Sequence, residues 1–205
     1  MTEIDFRVHK LERCNFSGVD FAKSNFLRAN LKGHNFTGAK FNEVDARECQ
    51  GEETNFSRSQ LSSANFRQAN LKRANFTGAN APDVNFSGAL LISASFKGAN
   101  LFDADFRFAR AIGADFSGSS LKSADFGNAD LSEAVMKNTK IWGASAKKAK
   151  LPKSSSLMFT LSSMFSGVKA KQKAVGDQKE AERQKRIQDL ASEAEKRPPH
   201  ASGRK

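Results

Sequence analysis

The chain has 205 residues with 33 Lys and Arg against 22 Asp and Glu, a net charge of +11, and its 39% hydrophobic share includes 18 Phe and no Tyr. Two cysteines are too few for a disulfide-built scaffold, and no apolar run reaches the length of a membrane span. The positive sign also excludes a surface that imitates nucleic acid.

The N-terminal MTEIDFRVHK lacks an apolar signal core and enters a repeat at Ile4. Stepping by five from Phe6 to Leu151 gives thirty positions, of which fourteen are Phe and nine Leu; the others are Met136, Ile141, Ala46, Gly51, Ala81, Ala111 and Ala146. Two residues before each of these centres stands Ala in seventeen cases, and one residue before stands Asn or Asp in eighteen. A helix requires a period near 3.6 and a strand a period of 2, so neither explains a period of five. One large and one small apolar residue per short unit is what a solenoid needs, because each unit buries its side chains only by stacking on its neighbours.

The unit A(N/D)(F/L)xx resembles the motif of the pentapeptide-repeat family over residues 4–151. The resemblance implies an all-β fold, a right-handed quadrilateral β-helix with one pentapeptide per side and four per coil. Thirty repeats then make about seven and a half coils, a rod roughly 36 Å long at the spacing of neighbouring strands. Order at twenty residues is an independent check. Phe26, Phe66, Phe86, Phe106 and Phe126 form one column, Phe16, Phe36, Phe56, Phe76, Phe96 and Phe116 the opposite one, and Leu dominates the two between. The small centres Ala46 and Gly51 are expected to leave a slack coil over residues 43–54.

Outward positions carry the candidate surfaces. Leu90, Ile92, Phe108 and Ile112 break the polar pattern together, with Phe102 and Trp142 nearby, and form a candidate partner-binding patch. Arg7, Arg47, Arg67, Arg107 and Lys147 form one vertical row, a candidate track for a polyanion such as nucleic acid or an anionic membrane. His9, Cys14, His34 and Cys49 occupy small inward positions; their spacing over different walls and coils does not assemble a metal site, and no metal or cofactor is expected. No catalytic constellation appears, and the recurrent Asn and Asp read as turn residues. The chain is therefore expected not to be an enzyme. Free thiols and the absent signal core point to the cytoplasm.

The repeat rule ends at Leu151. In residues 152–168, Leu157, Met158, Leu161, Met164 and Phe165 fall on one helical face, read as a short amphipathic helix that caps the open solenoid end, pairs with a second copy, or meets a membrane surface. Residues 169–197 are charged and nearly devoid of large apolar side chains, fitting a weak helix or a mobile tail, and residues 198–205 are expected to be disordered. Residues 1–151 carry 21 Lys and Arg against 16 Asp and Glu. The quinolone-resistance members of the family are thought to bind DNA gyrase through an acidic rod, so the resemblance does not extend to that activity. The expected function is a scaffold for an unidentified protein partner, with the basic C-terminal extension used for assembly, including a homodimer, or for anchoring. The alternatives are a polyanion binder and a secreted bacterial effector associated with host membranes.

Overall fold

The computed structural model describes residues 14–152. All described residues belong to one compact unit of the chain. Phe6, Arg7 and His9 at one end, and the expectations for residues 153–205 at the other, lie outside the described residues.

The described chain is a four-sided β-helix. Every fifth residue forms a parallel bridge with the residue twenty further on, from Asn15 with Asn35 to Asp130 with Lys150. Four ladders result, each running along one side. Side 1 follows Asn15, Asn35 and onward to Val135; side 2 runs from Asp20 to Lys140, side 3 from Asn25 to Ser145, and side 4 from Asn30 to Lys150. Each side is a three-residue strand whose outer two side chains point inward and whose middle one points out, and two turn residues make each corner.

The five backbone N–H groups of a repeat explain why Asn and Asp recur. For the repeat centred on Phe36, the Phe36 N–H donates to the Asn55 carbonyl, Gly38 to Ser57, Ala39 back to Phe36 and Asn35 to Cys14 in the coil before. The Thr37 N–H has no backbone acceptor, and the Asn35 side chain accepts it at 3.1 Å. Asp45, Asn65, Asp105 and Asp115 do the same for the residue two places on. A buried or half-buried N–H left without an acceptor is costly, so the Asn or Asp closes the account.

Every corner from residue 18 to residue 148 puts its second residue at positive φ. Nine of these are Gly, and eighteen are not, with φ between 55° and 64°. The left-handed region costs an ordinary residue roughly 1–2 kcal/mol, so each non-glycine corner is held there by the ladder bonds on both flanks. Seventeen of the eighteen are polar or charged. Phe108, with φ 60°, is the exception.

Inside, the two Phe columns meet in geometries that aromatic quadrupoles favour. Along a column the rings stack, Phe76 on Phe96 at 4.9 Å and Phe106 on Phe126 at 4.8 Å. Across the lumen they meet edge to face, Phe76 with Phe86 at 5.3 Å and Phe96 with Phe106 at 5.7 Å.

The coil with small centres is filled rather than slack. Phe41, on side 2, stacks on Phe26 at 5.2 Å and meets Phe56 edge to face at 5.3 Å, supplying a ring beside the position where Ala46 has none. A Cβ on Gly51 would lie 2.8 Å from Leu71 Cδ2 and 3.3 Å from Thr54 Oγ1, so Leu71 of the next coil occupies that space. Val44, Cys49 and Thr54 stand at inward positions where most repeats have Ala, and all are buried. Volume lost at the centres is recovered two residues before or three after them.

Two outcomes are expected in denaturant unfolding. Phe76→Ala should lose about 3–5 kcal/mol, whereas Phe108→Gly should leave stability unchanged or raise it by about 1 kcal/mol as the left-handed strain is relieved; equal losses would refute the assignment of inside and outside. Gly51→Ala should cost roughly 1–3 kcal/mol by overpacking, and Leu71→Val in the same chain should recover part of that loss.

Candidate functional site

The described interior offers no reactive site. Cys49 is fully buried, and burial pushes its thiol up to about 12. His34 lies in the same column as Cys14, one coil on, with its ring held between Phe16 at 5.9 Å and Phe36 at 6.0 Å. Its Nδ1 lies 3.1 Å from the Lys32 carbonyl, which makes that nitrogen the donor, while Nε2 is buried without a hydrogen-bond partner. Among the described residues no three His, Cys, Asp or Glu side chains gather as metal ligands. No described helix is long and apolar enough to cross a membrane.

Candidate chemistry is therefore on the surface, and the corner rows and middle rows set it. The arginine row lies on the corner after side 3. Arg47 donates to both oxygens of Asp45, Nε to Oδ1 at 2.8 Å and Nη2 to Oδ2 at 2.7 Å. Arg107 does likewise with Asp105, at 2.9 and 2.6 Å, and also lies 3.9 Å from Asp125. Bidentate pairing of this kind fixes the guanidinium plane. Arg67 follows Asn65 instead and has no ion pair among the described residues, and Lys147 is exposed. The row is thus not a free cationic track. The signal that the sequence reading missed was the D-x-R spacing of Asp45 with Arg47 and Asp105 with Arg107: the carboxylate that accepts the corner N–H also stands beside the corner side chain.

Between Arg107 and Lys147 the corner residue is Gly127, which leaves a cavity of about 280 Å³ lined by Arg107, Asp125, Asn128, Ser145, Lys147 and Lys148. Asp125 Oδ1 accepts the Gly127 N–H at 2.9 Å inside it.

The acidic stretch of residues 43–53 is threaded between basic coils. Arg28 meets Glu48 at 2.8 Å, Arg73 meets Glu53 at 3.0 Å, and Glu52 lies 3.3 Å from Lys32 above and 3.8 Å from Lys72 below. Exposed pairs of this kind are each worth about 0–1 kcal/mol. They neutralise the coil rather than offer it to a partner.

The apolar candidates separate into two groups. Leu90 on side 4 and Ile92 and Ile112 on the corner after it are only partly exposed, whereas Phe108 at the corner before side 4 is 63% exposed. Phe102 at 45% and Trp142 at 80% stand on the corner after side 2, in one row with Lys122 between them. Leu157, Met158, Leu161, Met164 and Phe165 lie outside the described residues.

Several carboxyls are held below their ordinary range: Asp45 by the Arg47 side chain, Glu52 by the Asn70 side chain and then Lys32, and Asp130 by the Ser132 hydroxyl. A carboxyl with a depressed folded value adds stability that is complete above its unfolded value, near about 4, and drains away as pH falls through the folded one. Melting temperature is therefore expected to be flat from neutral pH down to about 5 and to fall below about 4, and Asp45→Asn should flatten part of that fall.

Comparison with known proteins places these features. The sequence model of the pentapeptide repeats matches eight copies, over residues 2–33, 29–68, 69–107 and 99–138. Among solved structures the chain is similar to HetL, a pentapeptide repeat protein involved in heterocyst differentiation regulation from the cyanobacterium Nostoc sp. strain PCC 7120, at 22% identity over 68% of this chain and 77% of that one, with a TM-score of 0.45. It is also similar to a pentapeptide repeat protein of the Arabidopsis thaliana thylakoid lumen, at 24% identity over 75% and 77% with a TM-score of 0.36. A third is QnrB1, a plasmid-mediated fluoroquinolone resistance protein, at 23% identity over 73% and 85% with a TM-score of 0.33. No curated protein matches the chain.

Proposed function

The chain belongs to the pentapeptide-repeat family, and from that premise we propose that it is a non-enzymatic scaffold, located in the cytoplasm, whose rigid coils present a docking surface to a protein partner. The finer architecture proposed with it is a right-handed solenoid of about seven and a half coils over residues 1–151. The basic extension after it serves assembly or anchoring.

Phe108 carries the reading. It is the one apolar side chain among the eighteen non-glycine residues at the left-handed corner position, it sits at φ 60°, and it is 63% exposed. Neither the backbone nor the core gains from a Phe there, so its value lies in what touches it. From this corner the surface crosses side 4, where Leu90 stands in the middle row beside Arg110, to Ile92 and Ile112 on the corner at that side's far edge. An aromatic anchor beside partly exposed aliphatic residues and an arginine is the composition of an interface centre. The polyanion reading is weaker, because Arg47 and Arg107 already donate to Asp45 and Asp105.

The test compares the full chain with Phe108→Ser and Ile112→Asp in affinity capture from the native organism, with unfolding measured in parallel. A partner held by the parent chain and lost from both variants, at unchanged stability, is the expected result. Identical captured proteins from all three chains would remove side 4 as the docking surface.

A further inference from the structure

The other exposed aromatics lie on a different part of the coils, and their surroundings differ in kind. Side 2 between residues 97 and 143 consists of a middle row, Asn100, Ser120 and Lys140, and two flanking corner rows. The corner shared with side 1 carries Lys97, Gly98, Ser117, Gly118, Lys137 and Asn138. The corner shared with side 3 carries Phe102, Lys122 and Trp142 in consecutive coils, and the corner residue after each of the first two bonds to the coil below: Asp103 N–H donates to the Lys122 carbonyl and Ser123 N–H to the Trp142 carbonyl. Phe102 and Trp142 are therefore two coils apart, about 10 Å at the strand spacing, with an ammonium between them.

The charge of this face is one-sided. It holds Lys97, Lys122, Lys137 and Lys140, all exposed, against the single carboxylate Asp103. Lys97 is paired with Asp115 at 3.2 Å, while Lys122, Lys137 and Lys140 have no carboxylate in ion-pair range among the described residues. From Ala111 to Pro152 the sequence contains six Lys and no Arg, and from Ala134 to Pro152 it contains five Lys and no Asp or Glu.

The geometry points to side 2, at Phe102, Lys122, Lys140 and Trp142, as a surface that seats on an anionic phospholipid bilayer. Three observations select a lipid surface over other anions. The face has small residues at Gly98, Gly118, Ser120 and Gly143, and the cavity described above lies on another corner, after side 3. Its cations are all lysines, which protein interfaces deplete and which lack the fork that reads phosphodiesters bidentately, but whose mobile ammonium suits a diffuse headgroup layer. Its apolar side chains are an indole at 80% exposure and a phenyl at 45%, rings that partition to the headgroup level of a bilayer when lysines flank them. The surface is separate from the Phe108 corner and does not rest on the docking function proposed for it.

Trp142 is the only tryptophan of the chain, so its emission reports this face alone. The full-length protein is titrated with vesicles of phosphatidylcholine, or of phosphatidylcholine mixed with phosphatidylglycerol. A blue shift with the anionic vesicles only, reversed by high salt and quenched by lipids with brominated chains, is expected. Lys122→Gln and Lys140→Gln should each weaken vesicle binding, as read from that shift, about fivefold, and Phe102→Ser should weaken it without changing its salt dependence. Vesicle sedimentation of the protein with no change in Trp142 emission would overturn the proposal, since another basic segment would then hold the membrane. So would an equal shift with neutral vesicles, or the same shift on adding double-stranded DNA without lipid.

Discussion

Everything in this structure depends on register at twenty residues. The Phe36 N–H reaches the Asn55 carbonyl, the Phe56 N–H reaches the Asn75 carbonyl, and the pattern continues through the described coils. Once that bond is fixed, each side chain stands on the one twenty places earlier, and like is forced onto like. Phe stacks on Phe along two columns, Asn35 donates to Asn15 at 3.0 Å, Asn100 donates to Asn80 at 2.8 Å, and Glu48 lies beneath Arg28. An irregular sequence could not meet these demands, because a clash or an unmet polar group in one rung is shared with the rungs on both sides. The register also divides labour between positions: inward residues answer to the lumen, and outward residues answer only to their neighbours and to whatever lies outside.

The corners show how strongly that ladder dominates local preference. Glycine would be the natural residue at every left-handed position, yet Lys, Arg, Glu, Gln, Asp, Asn and Ser hold most of them with the same φ. Each corner from Gly18 to Asn128 is pinned by a bond from its second residue to the next coil, as from Arg58 to Thr77 at 3.0 Å, and many also by an Asn or Asp acceptor before the centre, as Asn35 for Thr37. The strain is distributed as a small constant charge on every turn, offset by the stacked core. It also explains why corner residues are free to vary in charge: the backbone that positions them takes little from their side chains.

Sequence periodicity was sufficient for the core because the core is periodic for a physical reason. Phe at 56, 76, 96 and 116 must stack, so the spacing that the lumen imposes is written directly in the residues. Compensation between positions was less legible. Ala46 and Gly51 looked like gaps when centres were read alone, but Phe41 and Leu71 come from other sides or coils and fill them, which only the three-dimensional lumen reveals. The surface was legible as rows and not as contacts. Arg47, Arg67 and Arg107 do share one row, but whether each is bound depends on the residue two places before it, Asp45, Asn65 or Asp105. Likewise Leu90, Ile92, Phe108 and Ile112 lie around one side, but only Phe108 projects far into solvent: it holds the second, left-handed position of its corner, whereas Ile92 and Ile112 hold the first position of theirs and Leu90 the middle of a side.

The four-sided coil imposes a second reading frame on this protein, one of faces rather than codons. Inserting a single pentapeptide would preserve every inward and outward alternation and every corner, yet it would carry all later residues a quarter turn around the axis. Trp142 would then leave the row of Phe102, and Lys140 would leave the row of Asn100. Only additions or losses of twenty residues keep the faces aligned. Length in such a chain is therefore free to drift in whole coils, while shorter changes tolerated by the fold would scramble its surface, so a lineage that keeps a working face must inherit its coils entire.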